Sequence, residues 1–106
     1  MTDTSKWVAT LGKYTATNIT NTATLSKTVE IARCDATGGS YTLTLPATAD
    51  WVGKKITVKC VGGSANAVTV SGNGFNIDGT ATIVLQDVTR EYATFYNNGT
   101  TIDIVG

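Results

Sequence analysis

Apolar and polar positions alternate with a period of two over most of this chain, the pattern of half-buried strands rather than of helices. From Thr28 onward, Val29, Ile31 and Arg33 take one side while Glu30, Ala32 and Cys34 take the other, and "DATGGS" supplies a turn. Tyr41, Leu43 and Leu45 alternate with Thr42 and Thr44 until Pro46, which has no N–H to give a ladder. "ATADWVG" predicts a helical or 3-10 turn, capped by Thr48 and stopped by Gly53. Ile56, Val58 and Cys60 oppose Thr57 and Lys59; Val68 and Val70 form a short inward pair; Phe75 and Ile77 form another before the tight-turn dipeptide Asp78-Gly79. Ile83 and Leu85 share a face with Val84 opposite, and Tyr92, Thr94 and Tyr96 oppose Ala93 and Phe95. Asn97-Asn98-Gly99 closes a last hairpin, in which Thr101, Asp103 and Val105 oppose Ile102 and Ile104. The expectation is an all-β fold, a small antiparallel sandwich or prism-like domain of about eight short strands.

Residues 1–28 lack this period. Trp7, Val8, Leu11 and Tyr14 suit one apolar side of a short helix or an extended clasp, whereas "TATNITNTATLS" is too polar to fold alone. The segment therefore reads as an N-terminal attachment or assembly arm, and residues 29–106 as an oligomerising β domain. Trp7, Leu11 and Tyr14 are its anchor candidates, because large amphipathic rings suit interfaces. Exposed strand edges invite pairing with another chain, which also points to an oligomer.

Composition narrows the partners. Charged residues make up 15% of the chain against about 25% in a typical soluble domain. Threonine replaces them, since its β-branched side chain suits a strand while its hydroxyl tolerates water. A net charge of +0 without a basic cluster removes the basis for nucleic-acid binding. No run of eighteen apolar residues exists, so no membrane insertion as a helix is expected, and the opening "MTDTSKWVATLGKY" lacks the pattern of a secretory signal. Synthesis in the cytosol follows as an expectation. Cys34 and Cys60 then read as reduced, mostly buried thiols rather than a disulfide.

Catalytic chemistry finds little support. Histidine is absent, which removes the commonest general base and the usual triads. Nearly all of Asp35, Asp50, Asp78, Asp87, Glu91 and Asp103 adjoin turns or strand ends, and each reads as a solvated turn carboxylate. "NGFNIDG" lacks the acidic density of a calcium loop, and the glycine motifs match neither a dinucleotide fingerprint nor a phosphate loop. No catalytic, metal or cofactor site is expected, and the chain reads as not an enzyme. Trp51 and Tyr92 are candidate glycan or subunit contacts, with packing inside the fold as the competing reading for Trp51.

"SYTLTLPATADWVGKKITVKCVGGSANAVTVSGNGFNIDGTATIVL" followed by "YATFYNNGTTIDIVG" resembles a segment recurrent in bacteriophage virion proteins, notably tail fibre, tail spike and related surface domains. The similarity rests on the order of Leu45-Pro46, Gly53-Lys54, Ile56 to Lys59, Gly62 to Val70, Ile77-Asp78-Gly79 and Tyr92 to Gly99, and spans residues 29–106. It implies a noncatalytic virion structural module, a homotrimer, located on the virion as a capsid decoration protein, a capsid fibre head or a minor tail component. Its partners would be other virion proteins of capsid or tail. The alternative it implies is a receptor or glycan-binding tip of a tail fibre that contacts host surface polysaccharide. The chain departs from long fibres in having no coiled coil or collagen-like run, and "TIDIVG" lacks the aromatic pair common in the closing strand.

Overall fold

The computed structural model describes residues 16–106. Nine short strands form two sheets: β1 (Ala16–Ile19), β2 (Ala23–Thr24), β3 (Ile31–Cys34), β4 (Tyr41–Thr44), β5 (Lys55–Cys60), β6 (Ala67–Ser71), β7 (Thr82–Gln86), β8 (Tyr92–Asn97) and β9 (Ile102–Ile104). The first sheet has the order β1-β3-β5-β8-β9 and the second β2-β4-β6-β7. From β1 to β6 the chain alternates between the sheets, so each strand lies beside the strand two earlier.

That alternation makes the pairing parallel. β1, β3 and β5 run parallel in the first sheet, as do β2, β4 and β6 in the second. Only the later partners, β5 with β8, β6 with β7 and β8 with β9, are antiparallel. The all-β, two-layer expectation holds, but the antiparallel one does not. Alternation in sequence places a residue on a face of a strand and carries no information about which strand lies alongside.

Successive coils stack like residues on like. In the first sheet Ala32 stands beside Val58 and Cys34 beside Cys60; in the second Ala23, Leu43, Val70 and Ile83 form one row. These inward rows make one core, which also holds Leu45, Trp51, Ile56, Phe95 and Ile102. The outward strand positions of the second sheet, among them Thr24, Thr42, Thr44, Thr69, Ser71 and Thr82, carry no charge. The first sheet instead presents Arg33, Lys55 and Lys59 with a Thr57–Thr94 hydroxyl bond of 2.9 Å.

Three further details depart from the sequence reading. β1 and β2 lie inside the segment assigned to the arm, and each is the edge strand of its sheet. Their apolar content is too low to show a period, and neighbouring strands supply the order: the Tyr41 hydroxyl donates to the Ile19 carbonyl at 2.8 Å, and Leu25 N–H to Thr44 at 2.8 Å. Phe75 and Ile77 form no strand. Ile77 is buried in a tight turn with Thr80, where Asp78 and Gly79 have φ of 47° and 89°, two left-handed residues in succession as a type I′ turn requires. The 3-10 turn at Thr48–Asp50 has no side-chain cap, since Ala47 and not Thr48 stands at its start. Gly53 follows it with φ of 79° and donates its N–H to Asn97 at 2.7 Å.

Candidate functional site

Trp7, Leu11 and Tyr14, the arm candidates, lie outside the described residues. Trp51 is not a surface group: its side chain is 1% exposed and its indole N–H donates to the Pro46 carbonyl at 3.1 Å. The ring closes the core beneath the turn that leads into β5, so of the contrasting readings for Trp51 the fold takes packing. Tyr92 lies on the outer face of β8 and is 59% exposed. Lys59, its register partner on β5, holds its ammonium 5.5 Å from the ring centroid and donates to the Arg90 carbonyl at 2.5 Å. The two candidates are therefore not one site.

Tyr92 borders a groove of about 640 Å³ between β7 and the β8–β9 pair. Ile83, Leu85, Ala93 and Ile104 contribute the apolar lining, with Lys59, Arg90 and Glu91 alongside. A second groove of about 630 Å³ lies at the start of β3 and β5, lined by Val29, Ile31 and Ile56 together with Lys27, Lys54 and Lys55.

The densest polar chemistry surrounds Asp87, which the sequence reading placed among the solvated turn carboxylates. It is fully buried. One carboxylate oxygen accepts the Gly62 N–H at 2.9 Å; the other accepts the Ala36 N–H at 3.2 Å, the Ser64 N–H at 3.1 Å and the Ser64 hydroxyl at 2.5 Å. Asn66 completes the arrangement, donating its amide to the Ala36 carbonyl at 2.8 Å and accepting the Asp87 N–H at 3.1 Å. One side chain thus ties together the loops after β3, β5 and β7. Burial alone would raise the Asp87 pKa, but the Ser64, Gly62 and Ala36 donors outweigh it and hold the pKa below the usual carboxylate range.

Asp35, Asp78 and Glu91 fasten backbone as well, and Asp103 holds a side chain. Asp35 accepts the Thr37 N–H at 2.9 Å, and the Thr37 hydroxyl and N–H lower its pKa against desolvation and the like charge of Asp87. Asp78 accepts the Ile104 N–H at 3.2 Å, Glu91 the Gln86 N–H at 2.7 Å, and Asp103 the Asn98 amide at 3.1 Å. Asn97, also fully buried, donates to Thr48 at 2.8 Å and accepts the Gly99 N–H at 2.9 Å. A signal for both buried groups exists in the sequence: Asp87 follows Ile83 and Leu85, and Asn97 follows Ala93 and Phe95, each at the next inward position.

Cys34 and Cys60 are free, buried and in register on β3 and β5. Burial pushes the Cys60 thiol up to about 11, helped by its neighbour Cys34, and raises Cys34 too, partly offset by the adjacent Tyr41 hydroxyl. Such thiols are poor nucleophiles at neutral pH. Among the described residues no group of three or more His, Cys, Asp and Glu side chains gathers to hold a metal, and no helix is long and apolar enough to cross a membrane. No protein-family model matches the chain, and no curated protein is significantly similar to it.

Proposed function

We propose that this chain is a noncatalytic structural module of a bacteriophage particle, assembling as a homotrimer that joins other virion proteins of capsid or tail. The observation that carries this reading is the use made of its reactive groups. Asp87, the one fully buried carboxylate among the described residues, is saturated by four hydrogen bonds from backbone and serine donors, and the two thiols are stacked in the core. Groups in that condition hold loops together, whereas a general acid or nucleophile needs an open coordination position and a proton it can exchange. The resemblance of residues 29–106 to virion surface domains supplies the particle. Sucrose-gradient fractionation of lysates containing tagged full-length chain tests it: the chain cosediments with particles and stays with them after a salt wash. Recovery only at the top of the gradient overturns the proposal.

The exposure of Tyr92 favours one second reading, a tip that contacts host surface polysaccharide. It requires saturable binding to that polysaccharide, weakened by Tyr92→Ala, and a flat binding response sets it aside.

A further inference from the structure

Lysine and arginine are scattered along this chain without a basic run, yet the fold gathers them on one side. Five of the six among the described residues, Lys27, Arg33, Lys54, Lys55 and Lys59, stand on the outer face of the first sheet or line the groove of about 630 Å³ at the start of β3 and β5. The strand register puts the outward side chains on one face. Arg33, Lys59 and Tyr92 are neighbours across β3, β5 and β8, and the Lys59 ammonium lies 5.5 Å from the Tyr92 ring. In the next outward row Thr57 and Thr94 join hydroxyls at 2.9 Å. Ile31, Lys55, Thr57 and Thr94 carry the same face into the groove, where Lys27 and Lys54 join them.

Carboxylates are few on this side. Glu30 lines the groove and Asp103 stands beside Tyr96, while Glu91 is turned to the Gln86 N–H of β7. Five cations against two carboxylates leave the face positive in a chain of net charge +0, and the outer strand positions of the second sheet carry no charge. The cations fall in two groups. Lys55 and Lys59 are four residues apart on β5, about 13 Å at the rise of a strand. Between them lies the Thr57–Thr94 pair, whose hydroxyls keep further hydrogen-bonding capacity.

We propose that this face binds an acidic polysaccharide, with one carboxylate in the groove of Lys27, Lys54 and Lys55, sugar hydroxyls over Thr57 and Thr94, and a second carboxylate at Arg33 and Lys59. The inference rests on the polysaccharide reading given above and adds the class of sugar and the face that takes it. Tyr92 offers an exposed ring to the C–H side of a sugar, next to cations that hold its acid group. Three other occupants match the charges less well. Duplex nucleic acid carries one charge per about 1.7 Å, which sets phosphates against Glu30 and Asp103 and leaves those between the two cation groups unpaired. A second copy meeting this face with its own brings the same sign and is repelled. Residues 1–15 precede Ala16, which pairs with Ile31 at the groove, but they hold Lys6 and Lys13 against Asp3 and so share the sign of the face.

The test is isothermal titration calorimetry of the full chain with hyaluronate, in which every second sugar bears a carboxylate, with neutral dextran, and with oligo(dT). Lys54→Gln/Lys55→Gln removes two charges from the groove, and Thr42→Glu/Thr82→Glu changes net charge equally on the outer face of the second sheet. Circular dichroism checks folding. The wild type binds hyaluronate saturably, more weakly as NaCl rises from about 0.02 to about 0.3 M, and does not bind dextran. The lysine variant weakens binding at least about fivefold and the threonine variant leaves it within about twofold. Equal weakening by both variants overturns the face. Binding to dextran that the lysine variant leaves unchanged overturns the acidic class and the face, with the polysaccharide reading intact. Tighter binding to oligo(dT) than to hyaluronate overturns the polysaccharide in favour of nucleic acid. Absence of hyaluronate binding at low salt overturns the proposal, and binding to host polysaccharide then decides the broader reading separately. Should the lysine variant fail to fold, Arg33→Gln/Lys59→Gln at the other end of the face is read in the same way.

Discussion

Replacing Asp87 by asparagine or alanine separates the work of its charge from that of its shape. The carboxylate accepts three backbone N–H groups and one hydroxyl, from Ala36, Gly62 and Ser64. Asparagine placed with its oxygen where three donors converge keeps those bonds in neutral form, but turns its NH₂ toward the Gly62 N–H. A hydrogen bond to a charged group contributes about 1.5–3 kcal/mol and a neutral one about 1, so Asp87→Asn destabilises by about 2 kcal/mol. Alanine leaves every donor without its acceptor and opens a cavity, for about 4 kcal/mol. With about 4–8 °C of melting temperature per kcal/mol in a domain of this size, the losses are about 8–16 °C and about 16–32 °C. Urea unfolding at pH 7 measures both. The pH dependence supplies the sign. Because the folded pKa lies below the unfolded one, the charge contributes its full stability above the unfolded value near 4, and that contribution fades as pH falls through the folded value. The gap between wild type and Asp87→Asn is therefore constant above about pH 5 and narrows in more acid solution. A gap under about 0.5 kcal/mol at pH 7, or one that widens in acid, refutes the assignment of Asp87 as a charged tie between loops.

Gly62 donates to Asp87, and a Cβ at that position would lie inside van der Waals contact of the Asp35 and Asp87 carboxylates. Gly62→Ala lowers the urea midpoint by an amount equivalent to about 1–3 kcal/mol, and part of that loss disappears in the Asp35→Ala background, where the nearer of the two obstructing carboxylates is gone. Asn97→Ala removes the bonds to Thr48 and Gly99 and costs about 2–3 kcal/mol, read by the same unfolding curve. Burial of Cys34 and Cys60, with both thiol pKa values raised, makes a thiol-specific disulfide reagent at pH 8 label the native chain no faster than it opens; labelling within seconds contradicts that.

The faces of the strands were legible in the sequence because a period of two is a local property. Leu43 and Leu45, Ile56 and Val58, Val68 and Val70, and Ala93 and Phe95 all point inward as their alternation predicts. Partner choice was not legible. A parallel pairing such as Cys34 with Cys60 is set by where the chain crosses between sheets, and short loops permit either crossing or return. β1 was missed for a related reason: Thr17 and Ile19 face inward, but Thr17 is polar and the strand gains its order from β3 and Tyr41 rather than from its own sequence.

The candidate site divided along the same line. Tyr92 kept its exposed position because it alternates outward on β8. Trp51 lies in a turn without a period, and its size alone favoured the packing that the fold gives it. The burial of Asp87 depended on the long-range meeting of three loops. Its inward parity after Leu85 was visible, but nothing in "QDVTRE" announces donors at Ala36, Gly62 and Ser64.

The central claim is that a fold whose reactive groups are bound into its architecture exists to be assembled with copies of itself. Native mass spectrometry of the full chain at micromolar concentration tests this most directly. The account predicts a dominant species of three copies of the 11.0 kDa chain, and a dominant species at 11.0 kDa across that range contradicts it.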